Sequence, residues 1–262
     1  MPELPEVETV VRQLQKLVGR TIKNVEIFDN KVMDQQLHKV VNSKITSVKR
    51  RAKSIIFELN NDNYLLAHLR MTGHFHHTVK SDESYKKYLA GVFHLDDKTL
   101  FTYNTIRRFG SVNVLSKKEL DEYIGKYGPE PLEISPQDFV KLCEKSPHSV
   151  IKNKLLDQSF MVGIGNIYAQ EGLYHAGILP TKKIGEVPRK KLLLLHQEMQ
   201  RILKIAIKNN GTTVDNYTHL DGKGSFQDML AVYNQENCPQ KHQLQKINIG
   251  GRGTFYCNIC QR

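Results

Sequence analysis

The chain has 262 residues, of which 39% are hydrophobic and 25% charged, and these fractions exclude a mainly disordered protein. Its length predicts two domains, or one domain with a small appendage. A net charge of +11 is compatible with binding to nucleic acid, but charge alone does not distinguish this from an ordinary solvated surface. The N-terminus lacks a signal-peptide pattern and no segment approaches roughly 18 continuous apolar residues, so we expect a cytoplasmic protein without a membrane span.

The first predicted element is a helix whose first turn contains Pro5. Proline suits that position because its fixed φ and missing N–H cost nothing there. Glu6 is interpreted as a helix-start carboxylate without a chemical role, and Gly19 provides the stop. Hydrophobic residues recur between them at helical spacing: Val7, Val10, Val11, Leu14, Leu17 and Val18. The helix does not explain why another proline, Pro2, precedes it.

Short β-rich segments follow the helix. Turn-forming stretches at 60–63 and 96–98 separate some of them, which indicates antiparallel hairpins in a sandwich or barrel. The segments are TIKNVEIF (21–28), KITSVKR (44–50), SIIFEL (54–59), YLLAHLR (64–70), GVFHL (91–95) and TLFTY (99–103).

A proline-rich stretch from Tyr127 to Pro136 marks a predicted domain boundary. From about 135 to 207 the pattern is helical, with segments that begin near residues 135, 149, 166 and 187. The order is therefore one helix, a β-sandwich, a helical bundle and a short tail that contains cysteines.

The tail contains a predicted metal site. Cys257 and Cys260 form a CxxC pair, and Cys238 is followed by His242 at a C-x3-H spacing. A tetrahedral zinc ion takes two ligands from each of two turns, so these four residues predict a closed, structural zinc site, with a solvent-exposed His242 as the alternative. Cys143, in a helical segment, is interpreted as a small core residue.

Arg252 lies between the two ligand pairs, at what would be a hairpin tip. The glycines on either side permit close approach to another surface, and an arginine there suits a phosphate. An arginine solvated at a loop tip is the alternative, and spacing alone does not decide between the two.

Several motifs in the chain together resemble the formamidopyrimidine-DNA glycosylase family, bacterial enzymes that excise oxidised purines. They run from one end of the chain to the other in the family order: MPELPEVETV, RRAK (50–53), HLRMTGHF (68–75), IRRFG (106–110), GPEPL (128–132), the segment 151–180 and GGRGTFYCNIC. The resemblance implies an α+β multidomain fold: an N-terminal antiparallel β-sandwich with a flanking helix (1–127), a helix-two-turns-helix DNA-binding domain (128–232) and a C-terminal zinc finger hairpin (233–262).

The resemblance also explains Pro2. Removal of Met1 makes Pro2 the N-terminus, and the family uses this secondary amine as the nucleophile. An α-amine with a pKa of about 7.7 to 8.0 is unprotonated for roughly a quarter of the time near pH 7.5. A lysine amine is unprotonated for only about a thousandth of the time at that pH. Glu3 is implied as general acid, Lys53 as a phosphate contact that aids proton transfer in β-elimination, and Arg252 as the finger arginine used on phosphate and in δ-elimination.

Further positions are implied to bind DNA. Met71, Arg107 and Phe109 match the side chains that enter the duplex when the damaged nucleotide flips out. Asn166 matches a phosphate-binding asparagine at a helix start. The remaining expected DNA contacts are Tyr88, His148 and Lys152. The segment 216–227 resembles the loop that closes over an everted purine, with Thr218, Gly222, Gly224 and Ser225 as its candidate residues.

The chain departs from the family pattern at four positions. Thr105 replaces a usual aspartate, Tyr88 a common histidine, His148 a common lysine, and His242 displaces the second finger cysteine by one residue. We expect a monomeric bifunctional glycosylase and AP lyase that acts on oxidised purines in duplex DNA. The alternatives are an endonuclease VIII-like enzyme for oxidised pyrimidines and a catalytically silent DNA-damage binder.

Overall fold

The computed structural model describes residues 1–79, 86–213, 222 and 224–262. The chain forms two compact units: Met1–Lys126 with Asn210–Gly224, and Tyr127–Asn209 with Ser225–Arg262. The family resemblance implied three contiguous domains, 1–127, 128–232 and 233–262. In the structure, the segment after residue 209 belongs to the N-terminal unit because Thr212 hydrogen-bonds to Glu6. The separation of residues 233–262 as a domain of their own stays a prediction.

The first unit contains two antiparallel four-stranded sheets. One has the strand order β1-β6-β7-β5 and the other β2-β3-β4-β8. Its elements are helix α1 (Leu4–Leu14) with a 3-10 turn (Gln15–Leu17), β1 (Ile22–Ile27), a 3-10 turn (Gln35–Val40), β2 (Ile45–Arg51), β3 (Ser54–Leu59), β4 (Asn63–His68), β5 (Gly73–Val79), β6 (Leu89–Leu95), β7 (Thr99–Thr105), β8 (Ser111–Ser116) and helix α2 (Lys117–Ile124).

The core of this unit draws on both sheets and on α1. Phe57 from one sheet packs against Phe75 and Phe101 from the other, with ring centroids 6.1 and 5.6 Å apart. Val7 and Leu14 of α1 belong to the same buried cluster. Burial of such large apolar side chains is the main stabilising contribution in a sandwich of this kind.

The predicted β-sandwich with its flanking helix is confirmed, and all six predicted β segments form strands. Patterning did not predict β5, β8 and α2. Helix α1 also ends earlier than expected, because residues 15–17 tighten into a 3-10 turn and leave Val18 40% exposed.

The second unit is helical and ends in a β-hairpin. Its elements are α3 (Pro136–Glu144), α4 (Ile151–Leu156), α5 (Asn166–His175), a 3-10 turn (Ile184–Glu186), α6 (Arg189–Lys208), a 3-10 turn (Phe226–Met229), β9 (Gln245–Ile249) and β10 (Arg252–Tyr256). Ser135 caps α3, since its hydroxyl accepts the N–H of Asp138, and Pro136 occupies the first turn. Cys143 lies in the core as predicted, and burial raises the pKa of its thiol to about 12.

Among the described residues, no helix combines the length and the apolar character that crossing a bilayer requires.

Candidate active site and metal centre

Pro2 and Glu3 stand directly before α1, and both are buried. Glu3 is the N-cap residue of the helix and forms a capping box with Glu6. The Glu6 carboxylate accepts the backbone N–H of Glu3 at 2.8 Å. The positive end of the helix dipole favours carboxylates at this position. Capping therefore fixes Glu3 at the helix start, directly after the buried Pro2, although no chemistry follows from capping alone.

Glu6 also binds a distant segment. Its Oε1 accepts the backbone N–H of Thr212 at 2.8 Å and the Thr212 hydroxyl at 3.0 Å, 206 residues further along the chain. Gly211 adopts φ +73°, and a Cβ there would lie 2.7 Å from Glu6 Oε1. Glu6 thus has a structural role, which the sequence could assign only to the helix start.

The segment expected to close over a base begins just after Thr212. The Thr213 hydroxyl, ahead of the segment 216–227, accepts the N–H of Gly224 at 2.7 Å. A Cβ on Gly224 would collide with the Gly211 carbonyl, which explains the glycine. Gly222 has φ 135° and is exposed, as is Ser225, whereas Thr218 lies outside the described residues.

Lys53 lies in the two-residue turn of the β2–β3 hairpin and is 8% exposed. Its neighbour Ala52 adopts φ 56°, as such a turn requires. The Arg50 guanidinium bridges this turn to α1: it donates to the Ala52 carbonyl at 3.0 Å and to Glu8 at 3.1 Å. Glu8 is about 7.5 Å along the helix from Glu3. The structure therefore ties the Lys53 turn to the N-terminal half of α1.

His68 is a candidate that the sequence interpretation missed. It ends β4 and pairs in register with Ser54, the residue after Lys53. Burial, followed by the positive charges of Arg70 and Lys53, lowers the pKa of His68 to about 4. The imidazole is consequently neutral near pH 7 and adds no charge to those of Arg70 and Lys53. The HLRM motif contained this histidine, but nothing in its spacing indicated that it lies beside Lys53.

The three side chains that the family resemblance expects to enter the duplex as a wedge lie together on the surface. They are Met71, Arg107 and Phe109. Arg107 Nη1 is 3.3 Å from the Met71 sulfur, 36 residues away, and the Arg107 guanidinium is 5.1 Å from the Phe109 ring centroid. Phe109 is 59% and Met71 37% exposed, which is unusual for large apolar side chains. This exposure is incompatible with packing of the two side chains in the core.

The loops that contain Met71, Arg107 and Phe109 both approach one buried side chain, that of Tyr103. A Cβ on Gly73 or Gly110 would collide with the Tyr103 hydroxyl, which donates to the His68 carbonyl at 3.1 Å. Tyr103 is fully buried, and burial raises the pKa of its phenol, so it remains a hydrogen-bond donor. Both loops can approach this one side chain only because each ends in glycine.

Thr105, which replaces a usual aspartate, takes part in a different arrangement. Its hydroxyl lies 3.4 Å from that of Thr72, and the Thr72 hydroxyl accepts the backbone N–H of Arg107 at 2.9 Å. A carboxylate does reach this loop, since Asp29 binds the guanidinium of Arg108. The Thr105 N–H donates to the carbonyl of Tyr88, whose side chain is 48% exposed.

In the second unit, Asn166 is the first residue of α5, after Gly165 at the N-cap. Its side-chain nitrogen donates to the Gly253 carbonyl of the hairpin at 3.1 Å. His148 is exposed in the turn that precedes α4. Arg252 is exposed at the first position of β10, directly after Gly250 and Gly251, which adopt φ 58° and 75° in the tight turn.

Lys152 differs from the expectation of a lysine that contacts DNA. It is 0% exposed, and its amine donates to the Thr254 hydroxyl at 2.6 Å. The buried face of α4 consists of Ile151, Lys152 and Leu155, so the side chain points toward the protein interior. In this structure Lys152 contacts the hairpin instead of solvent, and direct phosphate binding by its amine is not supported.

Cys238, His242, Cys257 and Cys260 form a cluster that could hold a metal ion. Their four ligand atoms all lie within 4.8 Å of one another. Cys238 Sγ is 3.9 Å from Cys260 Sγ, and His242 Nδ1 is 3.3 to 3.7 Å from the three sulfurs. Zinc–sulfur bonds of about 2.3 Å give tetrahedral edges of about 3.8 Å, so these separations fit a closed tetrahedral site and are too long for a disulfide.

Comparison with known proteins agrees with this arrangement. The family model for the formamidopyrimidine-DNA glycosylase N-terminal domain matches residues 1–112, and the model for the H2TH domain of the same family matches residues 127–218. A formamidopyrimidine-DNA glycosylase of an Exiguobacterium species is 36% identical over 276 residues and covers all of both chains. That of Brevibacillus brevis is 38% identical over 278 residues, covering 100% of this chain and 99% of its own.

Solved structures of similar proteins contain DNA. Lactococcus lactis Fpg in complex with abasic-site DNA is 33% identical, has a TM-score of 0.92 and covers 99% of each chain. A mutant of that protein bound to DNA containing Fapy-dG has the same identity and TM-score and covers 100% of each chain. Because the similarity spans the whole chain in both sequence and fold, the chain belongs to the formamidopyrimidine-DNA glycosylase family.

Proposed function

We propose that the protein excises oxidised purines, such as formamidopyrimidines and 8-oxoguanine, from duplex DNA and then cleaves the strand at the abasic site. The observation that carries the proposal is the arrangement of the N-terminus: Glu3 caps α1 and Pro2 is buried directly before it, in a chain that resembles formamidopyrimidine-DNA glycosylases over its full length. The DNA substrate also implies that the enzyme acts where the bacterial chromosome lies, in the cytoplasm.

Pro2 is the proposed nucleophile, once Met1 has been removed. Its secondary amine attacks C1′ of the damaged nucleotide, and the bond from C1′ to the base nitrogen breaks. The attached nitrogen then loses its N–H proton while the C1′–O4′ bond of the sugar opens and O4′ takes up a proton. The product is an iminium ion that cannot become neutral by losing a proton from nitrogen. It therefore acts as an electron sink: C2′ loses a proton, and the 3′ phosphate leaves by β-elimination.

Glu3 and Lys53 are the proposed acid–base groups. Glu3, at the positive end of α1, delivers a proton during base excision and stabilises the developing positive charge on the sugar. Lys53 binds a phosphate and assists proton transfer in elimination. The neutral imidazole of His68 beside Lys53 is compatible with this assignment, because it does not compete for the phosphate as a further cation.

Met71, Arg107 and Phe109 are proposed to fill the space left by the everted nucleotide. Unstacking a base costs a few kcal/mol, which an apolar wedge and an arginine on the orphaned partner base offset. The exposure of Met71 and Phe109 and their contacts with Arg107 support this role. Segment 216–227, with Thr218, Gly222, Gly224 and Ser225, is proposed to cover the everted base.

Phosphate contacts in the second unit are assigned to Asn166 and Arg252. Asn166 lies at the positive end of α5, which attracts anions. Arg252 is exposed beside two glycines. Tyr88 and His148 remain candidate contacts because both are exposed. We assign zinc to the four-residue cluster; it stabilises the fold of the hairpin and takes no part in the reaction.

Borohydride trapping tests the catalytic proposal. Reduction should convert the iminium into a stable covalent complex on DNA containing 8-oxoguanine, and the wild-type protein should be trapped. An unprocessed version with residues ahead of Pro2 should bind this DNA but not be trapped. Trapping through the extended protein would overturn Pro2 as the nucleophile, and Lys53 would be the next amine to test.

Glu3→Gln separates the two chemical steps. The variant keeps size and capping but loses the acid, so it should lose base excision and retain cleavage of a preformed abasic site. A panel of lesion oligonucleotides tests the substrate class: faster excision of oxidised pyrimidines than of oxidised purines would contradict the proposal. Binding without any cleavage would identify a silent damage binder.

A further inference from the structure

The buried side chain of Gln170 joins α5 to the hairpin. Gln170 is 1% exposed. Its Nε2 donates to the Asn166 carbonyl at 2.7 Å and to the Gly253 carbonyl at 3.3 Å, and its Oε1 accepts the N–H of Phe255 at 2.6 Å. One amide therefore contacts both the helix that begins with Asn166 and the strand that begins with Arg252.

The contacts follow the geometry of a β-ladder. Strand β10 pairs with β9 through Arg252 and Ile249 across the tight turn, so the peptide groups of Gly253 and Phe255 face the opposite, free edge. An added strand would offer one donor and one acceptor at that edge, and the Gln170 amide offers both. The side chain thus occupies the place of a third strand and fixes the hairpin against α5.

Lys152 provides a second connection to the same hairpin. Its amine donates to the Thr254 hydroxyl at 2.6 Å, and that hydroxyl donates to the Arg252 carbonyl at 3.0 Å. Thr254 and Lys152 are both 0% exposed. The backbone of Arg252 is consequently connected to α4 as well as to α5, while its guanidinium remains exposed.

We propose that Gln170 is a positioning residue that holds Arg252 and Asn166 in a fixed mutual arrangement, so that both meet the phosphates of damaged DNA without reorganisation. The inference rests on the proposed function, because it assumes that these two residues bind phosphate. A two-stranded hairpin alone is marginally stable, so its arginine needs such external support to keep one position. Preorganisation of this kind increases affinity by reducing the entropy lost on binding.

The test uses Gln170→Met, which preserves length and apolar volume but removes the amide. The matched control is Gln200→Met, which removes a similar partly buried amide that donates to the Pro131 carbonyl, outside the hairpin. Affinity is measured for a duplex carrying a tetrahydrofuran abasic-site analogue. We expect Gln170→Met to weaken binding about fivefold, the effect of one net hydrogen bond, and Gln200→Met to leave it unchanged.

A double-mutant cycle shows whether Gln170 acts through Arg252. If it does, Gln170→Met should weaken binding less than about twofold in an Arg252→Ala background, and it should flatten the dependence of log affinity on log salt, as loss of one phosphate contact does. Full additivity with Arg252→Ala, or wild-type affinity and salt dependence, would overturn the proposal. Loss of bound metal in Gln170→Met would also overturn it, since the role would then be structural.

Thr254 supplies an independent check. Thr254→Ser keeps the hydroxyl between Lys152 and Arg252 and should bind the same duplex like the wild type, whereas Thr254→Val should weaken binding. Equal weakening by both would contradict positioning through the hydroxyl. Failure of the proposed function is distinguishable, because in that case the wild-type protein itself would show no borohydride trapping and no preference for the abasic duplex.

Discussion

Each unit contains a buried glutamate that fixes a distant segment, and the two differ in how they do it. Glu6 is 2% exposed and divides its bonds between its own helix start and Thr212. Glu171 is 1% exposed and accepts three backbone N–H groups from one segment, those of Ala231, Val232 and Tyr233, at 2.8 to 3.0 Å.

The difference follows from position. Glu6 lies in the first turn of α1, where a carboxylate also satisfies the helix start, so it couples Glu3 to Thr212. Glu171 lies inside α5, where no N–H of its own helix start is within reach, and it serves the segment ahead of the metal ligands. Burial, only partly opposed by the three hydrogen bonds, raises the pKa of Glu171. We therefore expect changes at Glu6 to affect chemistry and changes at Glu171 to affect stability.

Metal removal should have the largest effect, because it acts on the unit that contains Glu171 and leaves the unit that contains Glu6 intact. Chelation, or His242→Ala, should release the metal and abolish DNA binding, because metal binding stabilises the fold of small finger hairpins. The first unit should still unfold cooperatively, which calorimetry and metal analysis on the same samples would show. Full metal occupancy in His242→Ala would contradict the ligand set. Retention of the 231–233 contacts after chelation, seen by hydrogen exchange, would show that Glu171 holds them without the metal.

Glu6→Gln should have the second-largest effect. The amide nitrogen would face an N–H donor at Glu3 or Thr212 and leave one buried donor unsatisfied, at a cost of about 1 to 3 kcal/mol. Excision of 8-oxoguanine should slow by roughly tenfold or more, whereas cleavage of a preformed abasic site should slow less. Single-turnover kinetics on the two substrates measure this, with Glu198→Gln, a half-buried ion-pair partner of Arg201, as control. Equal slowing on both substrates would contradict coupling to the base-covering segment.

Glu171→Gln should mainly lower stability, by about 1 kcal/mol. Because the folded pKa of Glu171 is raised above its ordinary 4.5, its contribution is greatest below that pH and declines as pH rises through the folded pKa. The contribution of a glutamine does not decline with pH. The variant should therefore fall further below the wild type in free energy of unfolding near pH 4.5 than at pH 7. Thermal unfolding across this range tests the sign, and a deficit that grows with pH would contradict it.

Thr72→Val should have the smallest effect and extends the comparison to a neutral group. The Thr72 hydroxyl fixes the Arg107 backbone as the carboxylates fix their segments, but an uncharged acceptor contributes less, about 1 kcal/mol. Excision from duplex DNA should slow about fivefold, with little change on abasic DNA, and Thr72→Ser should restore it. A Ser variant as slow as the Val variant would point to packing instead of the hydrogen bond.

Local patterns in the sequence were sufficient for much of the fold. Periodicity predicted α1, the helices of the second unit and six strands, because burial of one face imposes a repeat on the residues that form it. Strand β5 was missed because its sequence, GHFHHTV, has Phe75 as its one buried large apolar side chain, with Gly73 and His77 at the positions that alternate with it. Helix α2 was missed because its eight residues carry few apolar ones. The metal ligands were predictable because the two residues of each pair are close in sequence. Only the fold brings the two pairs together.

What the sequence determined by itself was therefore local: helix and strand periods, the paired ligands of the finger, and motifs that identify the family. Tertiary structure alone decided which distant groups meet. It placed Met71 beside Arg107, buried Lys152 under Thr254 against expectation, neutralised His68 beside Lys53 and bound Glu6 to Thr212 across 206 residues. The physical reason is that hydrogen bonding and burial depend on distances in space, and side chains far apart in sequence acquire those distances only when the sheets and helices have packed.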